Sequence, residues 1–517
     1  MSRAKSREEV KSMMFPRVRL LLAVLLLSLT APQALAQKKL PSAEKIVDNY
    51  LKAIGGRKSV GALKDATYEW AIQFNDQPYG VARLQRKAPA AECWELTFGN
   101  GQIVSATNPR SAWELGFNKK LRTLTGPLSA AAKLRASLDA SRLVNFKKSN
   151  VLARVVSLGD LGSEPAYIVE FSMRNGARFQ YYFSVKTSLL TKITSDVRAT
   201  RVLLDDYRPE HAIVEPHRVR MNLEGSGELT LVLQSVKYDT GIDDRVFDPP
   251  PENLDITALL REVEKNQDQL ENRVAEYAFK QTETDREIND KGELKKQTVK
   301  VYEVYPLPNR EPVEKLISED GVLLSAERAA KEDRRVQEEF AKAEREKDKD
   351  EKKVAQRRAE REKKEAQGTE ISPFLKACEF VSPRREDLDG RETIVFDFRP
   401  RPGFKPSNRE ESLIAKLIGV VWIDPVDKQV IRLEARLAEG FKMAGGLLVS
   451  LKPGAALVIE QTRMDHGVWL PKFAQLNLSV KVLLFGGGDY NKTIEWSDYK
   501  HFSGDVQDYK ITAPAKP

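Results

Sequence analysis

Four histidines (His211, His217, His466 and His501) and two cysteines (Cys93 and Cys378) are all that 517 residues offer of imidazole and thiol chemistry. Two cysteines exclude a disulfide-stapled scaffold and any multi-cysteine zinc or iron–sulfur site. No HExxH, GxSxG or CxxC motif occurs. Gly55-Gly56-Arg57-Lys58-Ser59 has the outline of a P-loop end. It lacks the first glycine, places Arg57 between glycine and lysine, and follows a helical rather than a strand pattern. Asp205-Asp206 and Asp243-Asp244 could face a cation, yet neither belongs to a regular oxygen-ligand loop, so surface charge is the expectation. His217 and His466 lie near prolines, but a general base needs a partner within hydrogen-bond reach and no spacing supplies one. The chain reads as non-enzymatic, with no catalytic residue, metal or cofactor.

The residues with a pattern are apolar. Tyr68, Trp70, Ile72 and Phe74 alternate with Glu69, Ala71 and Gln73, as do Trp94, Leu96 and Phe98 with their neighbours. Tyr167, Val169, Phe171 and Met173 repeat the pattern, followed by Phe179, Tyr181 and Phe183. Such period-two runs predict strands with one apolar and one wet face. Asn75-Asp76, Gly99-Asn100-Gly101 and Asn175-Gly176 punctuate them as turns. Trp70, Ile72, Phe74, Trp94, Leu96, Phe98, Tyr167, Val169, Phe171, Tyr181 and Phe183 are therefore the candidate lining of an apolar concavity. Helices are expected at 42–54, with Ser42 as N-cap and Gly55-Gly56 as stop, and at 127–140. This half ends near Asp248-Pro249-Pro250-Pro251.

A helical pattern at about 253–270 opens the second half, and strands follow, one hairpin turning at Asn289-Asp290-Lys291-Gly292. Between Ser325 and Gln367 stand 15 basic and 13 acidic residues without a glycine or proline. Acid-first i,i+4 pairs such as Glu327/Lys331 and Glu338/Lys342 predict a long charged helix. Val336, Phe340 and Val354 are its only large apolar residues, too few for a coiled-coil seam, so a solitary, solvated helix is expected. Strand signals resume after Pro373, with Gly486-Gly487-Gly488-Asp489 expected as a turn. Three stretches echo the first half in order: Leu161–Phe171 with Asp389–Phe398, Phe183–Ile193 with Ile423–Leu433, and Val214–Asn222 with Trp469–Asn477. The echoes point to a duplicated module.

Arg17 and Arg19 precede the apolar run Leu20–Leu29 and the exit Ala34-Leu35-Ala36, the pattern of a cleavable secretory signal over residues 1–36. A run of ten residues is about half of what a spanning helix needs. The signal carries six basic and two acidic residues, so its removal lowers the formal charge from +9 to +5. That mild charge on an exported chain argues against a nucleic-acid partner. In an oxidising compartment Cys93 and Cys378 are expected as two buried free thiols, since they fall in different halves.

Several of these stretches carry a family resemblance. They are Ala43-Glu44-Lys45-Ile46-Val47 through Tyr50-Leu51-Lys52-Ala53-Ile54-Gly55-Gly56, then Tyr181-Tyr182-Phe183 with Thr187 to Lys192. Asp206-Tyr207 leading to Glu215-Pro216, and Ile242-Asp243-Asp244 with Phe247-Asp248-Pro249-Pro250, complete the set. Over residues 40–250 the chain resembles the bacterial outer-membrane lipoprotein-sorting proteins, the LolA/LolB-like superfamily. The resemblance implies an incomplete antiparallel β-barrel lidded by short helices that holds acyl chains in transit across the periplasm. The expected fold is α+β and mainly antiparallel β. It has two tandem half-open β-barrels, at 40–250 and 251–510, with short helices as lids and one long charged helix, 325–367, inserted in the second. The expected function is that of a periplasmic carrier or chaperone for lipoproteins or other lipid or acyl cargo, free or peripheral to the outer membrane. The alternative is a non-enzymatic envelope interaction or sensory protein that meets protein partners through the charged helix.

Overall fold

Amphipathic patterning places the first helix where expected: α1 (Ala43–Ala53) buries Ile46, Val47, Tyr50 and Leu51 on one stripe. A second short helix, α2 (Gly56–Ala62), follows at once. Gly55 joins them at φ +126°, where a Cβ would stand 2.4 Å from the Ala212 carbonyl oxygen. The Gly-Gly-Arg-Lys-Ser segment is thus a helix junction, with Arg57 donating to Asp48 and to the Val144 carbonyl. The computed structural model describes residues 40–161, 164–174, 176–223, 227–274, 276–289, 293–307, 312–346, 352, 373–443, 449–464, 467–482 and 486–501. The signal segment 1–36, Asn175, residues 290–292 of the expected turn, His466, and residues 347–351 and 353–367 of the charged run lie outside them.

Six strands meander after α2: β1 (Asp65–Phe74), β2 (Gln77–Lys87), β3 (Ala91–Phe98), β4 (Gly101–Thr107), β5 (Ala112–Leu115) and β6 (Leu121–Thr123). Helices α3 (Gly126–Ala136) and α4 (Ala140–Leu143) intervene. Seven strands return: β7 (Leu152–Leu161), β8 (Glu164–Ser172), β9 (Arg178–Ser184), β10 (Leu190–Ser195), β11 (Thr200–Glu210), β12 (Ile213–Leu223) and β13 (Gly227–Tyr238). The last pairs with the first, so the order is β6-β5-β4-β3-β2-β1-β13-β12-β11-β10-β9-β8-β7. The sheet is curved and unclosed, with β6 and β7 as its edges.

The second sheet winds the same way. Helix α5 (Ile256–Val274) leads into β14 (Tyr277–Ile288), β15 (Leu294–Tyr305), β16 (Val313–Glu319) and β17 (Val322–Leu323). Helices α6 (Ala326–Arg345) and α7 (Pro373–Ala377) stand where α3 and α4 stand in the first. Then come β18 (Cys378–Leu388), β19 (Arg391–Pro400), α8 (Arg409–Ile414), β20 (Leu417–Asp424) and β21 (Gln429–Leu437). Strands β22 (Phe441–Met443), β23 (Val449–Leu451), β24 (Ala456–Arg463), β25 (Trp469–Val482) and β26 (Gly486–His501) complete it. Its main order is β17-β16-β15-β14-β26-β25-β24-β21-β20-β19-β18, and again the last strand pairs with the first. The three echoed stretches fall on matching places: the β7–β8 and β18–β19 hairpins, the β9–β10 and β20–β21 hairpins, and strands β12 and β25.

Two expectations are corrected. Gly486, Gly487 and Gly488 are not a turn but ladder residues of β26, opposite Val482, Lys481 and Val480. Antiparallel pairing uses only backbone groups, so a glycine run can hold it. Nor is the described part of the charged helix solitary. Val336 and Ala343 are buried against Leu307 and Val313, with Phe340 packed beside them, and Lys315 pairs with Asp333 at 2.7 Å. A sparse apolar stripe suffices when the facing surface is a strand edge rather than a second helix.

The two sheets meet where β6 lies beside β18. Arg384 there is fully buried. Its guanidinium donates to Glu386 at 2.6 Å, to Asp397 at 3.1 Å and to the Thr123 hydroxyl at 2.6 Å. Glu386 also accepts from the Thr123 backbone N–H, and Asp397 from Ser111 and Arg110 of the first sheet. Every carboxylate oxygen of the pair has a donor, the condition under which buried charges are tolerated. Cys93 and Cys378 are both buried and free, and burial pushes each thiol up to about 12.

Candidate functional site

Paired residues in an antiparallel sheet share a face, so the register can be followed strand by strand. In the first sheet it runs from Val169 to Tyr181, Ile193, Val202, Met221, Leu229 and Phe74. Two residues along β1, Ile72 continues through Gly80 to Phe98. All eleven sequence-derived candidates therefore lie on one face of one sheet, which is the face that carries the helices.

That face has two zones. In the first, Val169, Phe171, Tyr181 and Phe183 are buried beneath α1, α2, α3 and α4, with Tyr167 packed at the margin. Tyr50 of α1 meets Phe183 at 5.3 Å between ring centroids, and Phe146 meets Phe171 at 5.9 Å. Here the helices fill the curvature.

In the second zone Trp70 and Ile72 join Tyr68, Ala82, Leu84, Leu229, Leu231, Leu233 and Val236. Phe74, Trp94, Leu96 and Phe98 pack against them, only partly buried. Among the described residues every member of this cluster comes from the sheet and none from a helix. At its outer end four rings form a ladder, Phe74–Tyr79–Phe98–Phe117, with centroid separations of 5.5, 5.2 and 5.7 Å. Tyr79 and Phe117 are 50% and 47% exposed. Gly80 makes the ladder possible: a Cβ there would lie 2.3 Å from the Thr97 carbonyl oxygen and 3.1 Å from the Phe98 ring.

At the inner end the face turns polar. Arg86 pairs with Glu92 at 3.1 Å and Asp139 at 2.8 Å, while Arg135 donates to Glu92 at 2.7 Å. Glu215 accepts from the hydroxyls of Tyr68 and Tyr238, each at 2.9 Å. Burial, with the neighbouring Asp139 charge, pushes the Glu215 carboxyl up to about 7. Burial also acts against the Asp139 carboxylate, but Arg86 and Arg142 overcome it and hold it at about 2. Arg142 itself is buried, and among the described residues its Nε has no hydrogen-bond partner. The indole Nε1 of Trp70, also buried, has none either.

The second sheet differs at the corresponding place. Its α5 packs Leu259, Leu260 and Val263 on Phe396, Val421 and Ala435. The register carries that face from Val421 through Leu433, Ile459 and Ala474 to Ile494 and Glu283. On it, Lys492 pairs with Glu283 at 2.8 Å and Trp496 donates to Gln281. The central strands β14 and β26 thus show ions and amides where β1 and β13 show an apolar floor.

No model of a known protein family matches the chain, and no curated protein does. Solved structures do. The chain is similar to a DUF1329 family protein from Desulfovibrio piger, at 13% identity over 40% of this chain and 96% of the other, with a TM-score of 0.28. A LolA superfamily protein from Nitrosomonas europaea is 13% identical over 40% of this chain and 98% of its own, with a TM-score of 0.29. The MucA/MucB complex of Pseudomonas aeruginosa aligns with 87% of this chain and 94% of the matched chain, at 7% identity and a TM-score of 0.16.

The chemistry-bearing residues weighed in the sequence are used structurally. Arg218 and Arg220 neutralise Asp205, Arg208 holds Asp206, Arg245 holds Asp243, and Lys87 holds Asp244. His217 Nε2 lies 3.0 Å from Glu210, His211 turns the β11–β12 hairpin against the Tyr238 ring, and His501 stands near Glu276 at the surface. Sequence reading missed Tyr79 and Phe117, which sit outside the alternating runs. It also missed the Arg86, Glu92, Asp139, Arg142 and Glu215 cluster, because those residues come from four separate elements.

Proposed function

We propose that the chain is a non-catalytic periplasmic binding or carrier protein whose first module, residues 40–250, holds an apolar chain in the helix-free zone of its concave face. One observation carries this reading. Among the described residues the apolar cluster from Trp70 to Phe98 takes no member from a helix, and its outer end carries half-exposed aromatic rings at Tyr79 and Phe117. The apolar area still exposed on Phe74, Trp94, Leu96, Phe98, Tyr79 and Phe117 is unfavourable by about 25 cal/mol per Å², and an acyl chain laid on it recovers about 0.8 kcal/mol per CH₂ buried. The matching windings support a duplicated module, residues 251–510. Its ionic central strands suit it to scaffolding or partner contact rather than to a second apolar cargo. The signal-like segment 1–36 supports export.

The test is lipid extraction and mass spectrometry on the full chain, gently purified from its native envelope. Co-purifying acyl lipid near one equivalent is expected. No lipid above that found on an unrelated exported protein overturns the reading.

A further inference from the structure

Among the described residues, two donors at the inner end of the same trough have nothing to donate to. Arg142 is 7% exposed, and its Nε has no partner. Its remaining contacts are long: Nη1 lies 3.3 Å from Asp139 and Nη2 lies 3.5 Å from the Ala91 carbonyl. Arg86 shares Asp139 with it and stands 5.9 Å above the Tyr68 ring. Tyr68 in turn stacks on Trp70 at 6.3 Å, whose indole N–H is the second orphan donor. Trp70, Tyr68, Arg86 and Arg142 therefore form one contiguous series that begins on the apolar floor and ends on α4.

Charge counts in the same direction. Arg86 and Arg142, with the 42% exposed Arg135 at the rim, face two fixed carboxylates, Glu92 and Asp139. The third carboxyl, Glu215, spends much of its time neutral near pH 7 because burial raises it to about 7. A buried guanidinium short of acceptors is unfavourable unless an acceptor arrives, and oxyanions give guanidinium its strongest hydrogen bonds.

We propose that the first trough takes an amphiphile with an oxyanion head, phosphate or carboxylate, seated on Arg142 and Arg86, with the chain lying past Trp70 toward Phe74 and Phe98. This rests on the carrier reading above and adds the chemistry of the head. Free phosphate lacks the tail that the floor would cover, and a neutral lipid leaves Arg142 unsatisfied.

The test is displacement of the neutral probe N-phenyl-1-naphthylamine from the full chain at pH 7.5 by dodecyl phosphate, laurate, dodecanol and inorganic phosphate. At least one of the two charged amphiphiles is expected to displace at roughly tenfold lower concentration than dodecanol, the factor equivalent to about 1.4 kcal/mol. Whichever is stronger identifies a phosphate or a carboxylate head. In Arg142→Gln the ratio is expected to fall to about one. Equal displacement by dodecanol and both charged amphiphiles in the wild-type chain overturns the head assignment and leaves the carrier reading standing. Displacement by inorganic phosphate as strong as by dodecyl phosphate also overturns it. If neither the probe nor dodecanol binds, both readings fall. The wild-type ratio decides the matter even if the variant does not fold.

Discussion

The hydroxyl of Tyr68 donates to the carboxyl of Glu215 at 2.9 Å, joining strands that are 147 residues apart in the chain. Tyr238 donates to the same oxygen at the same distance. The pair marks the boundary between the helix-filled and helix-free zones of the trough, and it has a consequence for pH.

Glu215 has a folded-state pKa of about 7, against about 4.3 for an unperturbed glutamate. Between those values the folded chain binds more protons than the unfolded one, so this residue's contribution to stability falls as pH rises. It is fully present below about pH 4 and lost above about pH 7. Glu215→Gln, which keeps the hydrogen-bonding shape without the titration, is expected to gain on the wild type as pH rises from 5 to 8. Thermal unfolding of the two proteins across that range measures it; parallel curves would refute the assignment.

The buried junction between the sheets predicts a large mutational effect. Asp397→Asn removes one acceptor charge from Arg384, which is fully buried. Breaking such a pair from one side costs about 3–5 kcal/mol. Urea denaturation should show a loss of unfolding free energy of that size, and a loss under about 1 kcal/mol would mean that water reaches the junction.

Rim and core residues should separate cleanly. Phe171 is wholly buried under the helices, and Phe171→Ala should cost about 3–5 kcal/mol. Tyr79 and Phe117 are half exposed, and replacing both with serine should change stability by no more than about 0.5 kcal/mol each. The same double variant should weaken binding of a neutral apolar probe, read by fluorescence titration. Unchanged binding would move the site away from the aromatic ladder.

Much of this architecture is legible in the residues. Trp70, Ile72 and Phe74 alternate cleanly because one face of β1 is apolar and the other wet, and period-two patterning reports that directly. Gly55-Gly56 ends α1 as its position suggests. The division of the eleven candidates into filled and unfilled zones is not legible, because Phe171 and Phe98 carry the same pattern and differ only in whether a distant helix lies over them. Arg86 and Arg142 look like ordinary surface arginines until the fold brings Glu92 and Asp139 to them. The docking of α6 through Val336 and Phe340 escaped for a related reason: a two-residue stripe is too weak a periodic signal without the strand that receives it. The glycine run in β26 misled because glycine marks both turns and bare backbone ladders.

Photo-crosslinking with a diazirine-bearing C16 acyl chain, followed by peptide mapping, addresses the trough most directly. Adducts are expected on Asp65–Phe74, Gln77–Lys87 and Ala91–Phe98 and at Phe117, and an excess of unlabelled acyl chain should suppress them. Adducts confined to other parts of the chain, or none that competitor removes, would contradict an apolar cargo site on the open floor of the first sheet.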